Sequence, residues 1–311
     1  MIVRYKSEGG KLSVTDDIGH DTWIRVTQPS GEDIASVSAL LGTDVYEVNA
    51  LLDRDEGSRW ETEGDVTTII VDIPYRRSES SGPPYDTLPF AIIMNHEVIA
   101  TICQIESTVI QKIAGGAIKN LDLADRKDFV LKILYMISLE YQVQLREINT
   151  RRKEIESKVN YSTENSDIIE LHNLESSLVY FSTSLTACNV VLDKMKRNAE
   201  KSEDARHLDG IHDVLIENQQ AVEMSRTYRS IIDGTRELFA AVMNNRLNAI
   251  LKWLTAVTII LAIPAIIGGF WGMNVTPLPF DNTPWGFWIV LVITVVICAA
   301  MTYAMKRKKM M

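Results

Sequence analysis

Asn248, Thr255, Thr258, Ala262, Ala265 and Gly269 recur at spacings of 7, 3, 4, 3 and 4, with Leu251 between the first two. On a helix that spacing makes a single seam, straight or slightly supercoiled. Its members are small or carry an oxygen, while Ile259, Ile260, Ile263 and Ile266 occupy the rest of the circumference. Two uses suit such a seam. Small residues let helices approach closely in lipid, which is a packing role. Hydroxyl and amide oxygens along a wall would instead touch a hydrated ion, and an apolar constriction at Leu251 would gate the path by dewetting. Two spans in one chain cannot enclose an aqueous path, so the second use demands several copies around an axis.

Little else competes for a chemical role. Cys103, Cys188 and Cys298 are far apart and form no CxxC pair. That spacing supports neither a disulfide framework nor a zinc cluster, and fits a reducing compartment. The five histidines include no HExxH, and the soluble part carries neither a Gly-rich phosphate loop nor a nucleophile elbow. No enzymatic activity and no cofactor is expected.

The elements that must position the seam are long. Trp253 to Phe280 carries no charge for 28 residues, and between Lys252 and Lys306 the only charged residue is Asp281. A helix needs about 20 residues to cross about 30 Å of hydrocarbon. A first span therefore fits Lys252 to Trp271 and a second Trp285 to Met305. Lys306 to Lys309 follow the second span, Arg246 and Lys252 precede the first, and the connecting loop has no Lys or Arg. The positive-inside rule puts both termini in the cytoplasm, with Trp271, Trp285 and Trp288 at the outer boundary. The N-terminal stretch MIVRYKSEGGKLSV has no apolar core of a secretory signal.

The remainder reads as soluble and acidic. Residues 1–252 hold 28 Lys and Arg against 40 Asp and Glu, a net of −12. Phosphate binding needs a basic footprint, so nucleic acid is not an expected partner. The acidity serves solubility and also suits a protein that gathers cations. Thr67–Ile73 predicts a strand ending at Pro74, and Phe90–Met94 with Val98–Cys103 predicts a hairpin about Asn95 and His96. Ser30 is placed to cap a helix ending at Gly42, and Asp44 a second through Leu52. From Leu123 the period turns helical: Tyr141, Leu145, Ile148, Ile155 and Val159 form one seam, and Leu178, Phe181, Leu185, Cys188, Leu192 and Met195 another. Asn160–Ser166 reads as the turn between them. A third helix should begin near Ala205 and pass unbroken into the first span. The expected organisation is an α+β cytoplasmic domain at 1–122, antiparallel stalk helices at 123–204, and a long helix with the first span at 205–271. An outer loop at 272–284, a second span at 285–305 and a basic tail at 306–311 complete it.

The first span ends in Phe270-Trp271-Gly272-Met273-Asn274. A Gly-Met-Asn triplet after an aromatic, two terminal spans, a lysine-rich tail, a long preceding helix and an acidic α/β domain together resemble the CorA family of magnesium and divalent-cation transporters, over the whole chain. The resemblance implies a funnel-shaped homopentamer in the inner membrane, whose first spans line a pore for passive influx of hydrated Mg²⁺. It assigns the outer selectivity filter to Asn274, presented by Gly272 and Met273. Asn248, Leu251, Thr255, Thr258, Ala262 and Ala265 match pore-facing positions, and Pro264 matches a proline of the family's first span. It also implies feedback by Mg²⁺ held between cytoplasmic domains of neighbouring copies, with Asp213 at the regulatory position. The family's partner acid is not matched cleanly: Asn49 and Ala50 stand at its position, with Glu47 and Asp53 nearby.

Several features depart from the family. Many relatives continue the triplet with Met-Pro-Glu-Leu, where this chain has Val275-Thr276-Pro277-Leu278-Pro279-Phe280-Asp281. Ala265 replaces a hydroxylated residue, and Asp281 is the one acid left in the outer loop. Zn²⁺, Co²⁺ or Ni²⁺ transport within the same family is the first alternative. A membrane-anchored scaffold whose spans only dimerise is the second.

Overall fold

The computed structural model describes residues 1–78, 82–118, 121–158, 165–275, 278–280 and 283–308. Its contacts divide the chain into two compact units, Met1–Arg236 and Glu237–Met311. The first unit is built on a seven-stranded sheet with β1 (Ile2–Glu8), β2 (Lys11–Val14), β3 (Thr22–Thr27), β4 (Arg59–Glu63), β5 (Val66–Arg76), β6 (Tyr85–Met94) and β7 (Val98–Cys103) in the order β2-β1-β3-β7-β6-β5-β4. Only the β3–β7 pair is parallel. All six residues of β7 are buried, because the sheet is covered on both faces. Ile24, Ile70, Ile93 and Ala100 pack on one face against Ile34, Val37, Leu41 and Val48 of α1 (Gly31–Leu41) and α2 (Val45–Ala50). On the other face Trp23 meets Phe129, and Tyr141 and Tyr85 meet Phe181 edge-on. These partners come from α4 (Arg126–Lys158) and α5 (Asn165–Lys201), which follow the short α3 (Thr108–Ala114).

The caps read from the sequence form as expected. The Ser30 hydroxyl accepts from Asp33 N in a reciprocal capping box, and Gly42 closes α1 at φ 72°. Asp44 caps α2, which ends at Ala50 rather than Leu52. The hairpin about Asn95 is present, its side chain accepting from the Glu97 and Val98 amides. The strand expected to stop at Pro74 continues to Arg76. Pro74 pairs with Thr87 beyond Ile70, where β4 pairing has ended, so its missing N–H interrupts no ladder. Along the same stretch the carbonyls of Asp72 and Pro74 accept from Tyr141 Oη at 3.1 Å and Gln144 Nε2 at 3.4 Å. The expected turn at Asn160–Ser166 lies mostly outside the described residues.

The helix α6 (Ala205–Trp271) begins where the sequence places it and runs 67 residues without a break. Within the first unit it is fixed to α5 through backbone carbonyls one heptad apart. Asn218 Nδ2 donates to Leu185 O at 2.9 Å and Ser225 Oγ to Leu178 O at 3.0 Å, all buried. Both acceptors belong to the α5 seam read from the sequence. Gln142 of α4 adds a bond from its amide to Glu217 O.

The start of α6 is held by charge. His207 Nδ1 sits 2.7 Å from Asp204 and Nε2 sits 2.8 Å from Asp125, a pairing that favours the protonated ring, which can donate from both nitrogens. Lys127 also bonds Asp204, and Arg206 approaches the second oxygen of Asp125 at 3.1 Å. Burial opposes protonation of His207, but hydrogen bonds to Asp204 and Asp125 outweigh it and hold its pKa above 6.5. Asp125, despite burial, is held below the usual carboxylate value by His207, and Asp204 is pulled to about 2 by Lys127 and His207. A raised histidine pKa stabilises the fold below 6.5, and that contribution is lost as pH rises through the folded value. The lowered carboxylates contribute above 3.8 and lose their contribution as pH falls toward 2. His207→Gln should therefore lower the unfolding temperature of the full-length protein most between about pH 4 and 6.5 and progressively less toward alkaline pH, measured by thermal scans in mild detergent.

Candidate functional site

In the second unit the remainder of α6 is followed by α7 (Gly286–Arg307), and both helices are long and apolar enough to cross a membrane. The contact between them has an identifiable cause. Pro264 lies inside α6 and has no N–H, so the carbonyl four residues before it, Ile260 O, loses its helical partner. Cys298 Sγ of α7 donates to that carbonyl at 3.8 Å. Ala256 is fully buried and Ile260, Ile263 and Ile267 are half-buried, while Thr294 and Met305 are buried on α7.

The seam from Asn248 to Gly269 lies elsewhere on α6. At about 100° per residue its mean direction is roughly 140° from the face bearing Ala256, Ile260, Ile263 and Ile267. Asn248, Leu251, Thr255, Thr258 and Ala265 are exposed and Ala262 is half-buried. The two hydroxyls are oriented: Thr255 Oγ1 donates to Leu251 O and Thr258 Oγ1 to Leu254 O, both at 2.8 Å. Their protons are spent inside the helix, which leaves lone pairs facing outward. A surface of acceptors is complementary to the water hydrogens around a cation.

At the end of α6 the Gly272 amide continues the helix to Gly268 O at 3.0 Å, and the Met273 amide tightens to Phe270 O at 3.3 Å. A Cβ on Gly272 would stand 3.2 Å from Gly268 O, closer than ordinary contact. Trp271 Nε1 reaches across to Pro279 O at 3.0 Å. Phe280 takes a left-handed φ of 67°, and its carbonyl accepts from the Thr283 amide and hydroxyl. A Cβ on Gly286 would fall 2.2 Å from that carbonyl, so only glycine fits there. The loop is thus tied at both ends around Met273 and Asn274. Asn274 is exposed, and no hydrogen bond among the described residues engages its amide. Asp281 lies outside the described residues.

The residues expected at a regulatory position are not brought together. Asp213 is exposed on α6 beside the buried Ile211 and Val214. Asn49, Ala50 and Asp53 line a groove of about 910 Å³ with Tyr46, Glu56 and Gln104, and Asp213 is not among its walls. Glu47 lines a different groove with Asp44. Among the described residues no group of three His, Cys, Asp or Glu side chains is placed to hold a metal.

Sequence reasoning treated Cys298 only as an unpaired thiol. The signal available was the proline: Pro264 names Ile260 as the carbonyl needing a donor, but which residue 38 positions later supplies it is a tertiary fact. An interhelical bond of this kind in a membrane contributes about 1 kcal/mol. Cys298→Val should lower the resistance of full-length protein to SDS unfolding by about that amount, whereas Cys298→Ser, which keeps a donor, should leave it nearly unchanged.

Comparison with known proteins agrees across sequence and structure. Residues 20–307 match the family described as CorA-like Mg²⁺ transporter protein. The chain is 28% identical over 294 residues to the cobalt/magnesium transport protein CorA of Methanocaldococcus jannaschii, covering 92% of this chain and 90% of that one. It is 25% identical over 185 residues to the cobalt/magnesium transport protein CorA of Thermotoga maritima, covering 59% and 53%. The complete structure of the CorA magnesium transporter from M. jannaschii superimposes with a TM-score of 0.85, covering 99% and 98% of the two chains at 25% identity. The full-length CmaX protein shares the fold at a TM-score of 0.72 and 12% identity.

Proposed function

Because the chain belongs to the CorA-like Mg²⁺ transporter family, we propose that it passes hydrated Mg²⁺ through a pore formed by five copies of α6, with both termini in the cytoplasm of a cell bounded by this membrane. The observation that carries the reading is the exposed seam of α6, whose outward lone pairs end at the free amide of Asn274. Mg²⁺ dehydrates reluctantly, so a wall that accepts from its water shell suits it better than a cage of ligands. Leu251, 49% exposed on the same seam, is the apolar ring at which the path would dewet and close. No energy source beyond the membrane potential is required. A 2+ charge crossing 100 mV inward gains about 4.6 kcal/mol.

In this assembly Gly272 and Met273 set the turn that aims five Asn274 amides at the outer mouth. Asp213 takes part in feedback between neighbouring cytoplasmic domains, a role supported by its exposure on α6. Co²⁺ is the second reading, favoured by the names of the Methanocaldococcus and Thermotoga relatives.

Purified protein in liposomes with a Mg²⁺-sensitive dye inside, and Co²⁺, Ni²⁺ and Zn²⁺ run in parallel, tests the reading directly. Mg²⁺ entry should grow with an inside-negative potential, and Asn274→Ala should reduce it at least tenfold, about 1.4 kcal/mol of lost stabilisation, while the oligomer stays intact. Normal flux in that variant would remove Asn274 from the filter; Co²⁺ flux without Mg²⁺ flux would replace the ion and keep the pore. In the same vesicles Asp213→Lys should weaken inhibition by Mg²⁺ on the cytoplasmic side, and inhibition at an unchanged concentration would place the sensor elsewhere.

A further inference from the structure

We infer that Lys252, Lys306, Arg307 and Lys308 form a binding site for the headgroup of an anionic phospholipid at the cytoplasmic ends of α6 and α7, an inference that rests on the membrane placement proposed above.

The register of the two helices brings these residues to one level. The contact between Cys298 and Ile260 O fixes the antiparallel alignment. Lys252 lies eight residues before Ile260 and Lys306 eight residues after Cys298, so each stands about 12 Å of helix beyond the contact, on the same side. Arg307 closes α7 and Lys308 is its C-cap. All four are exposed.

Aromatic residues mark that level as a lipid interface. Trp253 and Trp271 are 18 residues apart on α6, and Trp285 and Tyr303 are 18 apart at the two ends of α7. Both separations are about 27 Å, the thickness of a bilayer's hydrocarbon. Trp253 and Tyr303, 56% and 71% exposed, thus form an inner belt, and Lys252 sits immediately beyond it at headgroup depth.

Nothing among the described residues neutralises these cations. None of the four side chains has a hydrogen bond or a carboxylate partner among the described residues. Residues 238–311 contain six Lys and Arg and a single acid, Asp281, which in sequence lies between the two helices, 25 residues before Lys306. The first unit behaves differently: Arg25, Arg59, Lys112, Lys127, Arg151 and Arg152 each hold a carboxylate. Lys and Arg stems lie along apolar helix surface while their heads reach the phosphate plane, and each cation near an anionic surface gains roughly a fivefold preference. The phosphate of a lipid is favoured over a free phosphate because the stems and the neighbouring Trp253 offer acyl chains a surface that an inorganic ion cannot use.

The test is electron spin resonance on full-length protein reconstituted in phosphatidylcholine bilayers, with spin-labelled phosphatidylglycerol or spin-labelled phosphatidylcholine as probe. Reconstitution avoids any effect of the substitutions on insertion during synthesis. The motionally restricted fraction should favour phosphatidylglycerol by roughly fivefold or more. That preference should fall to parity when Lys252, Lys306, Arg307 and Lys308 are all changed to Gln. Lys252→Gln and Lys306→Gln alone should give intermediate values, and they carry the test if the quadruple variant does not fold. Equal association of the two labels with the unmodified protein, or a preference that survives all four substitutions, overturns the site. Loss of the preference in inorganic phosphate but not in chloride of matched ionic strength would make it a free-phosphate site and overturn the lipid assignment. A restricted component absent for both labels would mean that the chain is not in the bilayer, which defeats the membrane reading itself.

Discussion

A proline in the middle of a membrane-length helix poses a problem that the rest of the second unit is arranged to solve. Inside hydrocarbon there is no water to satisfy a freed carbonyl, so a partner must come from the protein. Ile260 O is that carbonyl, and Cys298 meets it. Because the freed acceptor sits at one depth and one azimuth, the bond sets the depth and side on which α7 lies. Ala256, Ile260, Ile263 and Ile267, the more buried positions of this part of α6, share the face that carries that bond. The seam from Asn248 to Gly269 is left uncovered, and the lysines of the two helices are brought level. A weak thiol donor suffices for this, since it has no water to compete with.

The first unit answers a related requirement with stronger groups. Its sheet is buried on both faces, and the helices laid on it carry polar residues that reach backbone acceptors as well as one another. Asn218 and Ser225 bond α5 carbonyls seven residues apart, which excludes a slide of α6 by one turn without leaving two buried donors unpaired. The ring of His207 between two carboxylates holds the first turn of the same helix.

Much of this was legible in the sequence, and the misses have common causes. The start of α6, both spans, the caps of α1 and α2 and the apolar seams of α4 and α5 all follow from local rules of period and capping. Strands β2 and β4 escaped notice because much of their surface is exposed, whereas β3 is buried at five of its six positions and was missed for its brevity and its interleaved Thr and Arg. Lys11–Val14 and Arg59–Glu63 are short edge strands with few buried positions, and their alternation carries little apolar signal. Pro74 misled because a strand proline is harmless wherever its N–H would point at no partner, and pairing partners are not visible in one sequence. Of the candidate site, the spacing of the seam and the Gly272-Met273-Asn274 turn were readable. The orientation of the threonine hydroxyls, the bond from Cys298 and the left-handed Phe280 that excludes a side chain at Gly286 were not, since each depends on atoms brought together by the fold.

The scarcity of acid near the proposed pathway bears on what the site selects. With Asp281 the single carboxylate after Glu237, a cation entering the proposed mouth meets almost no formal negative charge. The field must come from dipoles. Five copies of α6 would each end at Trp271 with carbonyls pointing outward, and a helix C-terminus carries about half a negative charge within its last turn. In the proposed assembly, five such ends and five Asn274 amides would make a diffuse ring of partial charge that holds a divalent ion through its water rather than stripping it. Monovalent ions gain half as much from the same ring. Discrimination among divalent ions of similar hydrated size is correspondingly slight, because the wall reads the outer waters rather than the metal. A site of this construction would favour charge and hydration over ligand chemistry.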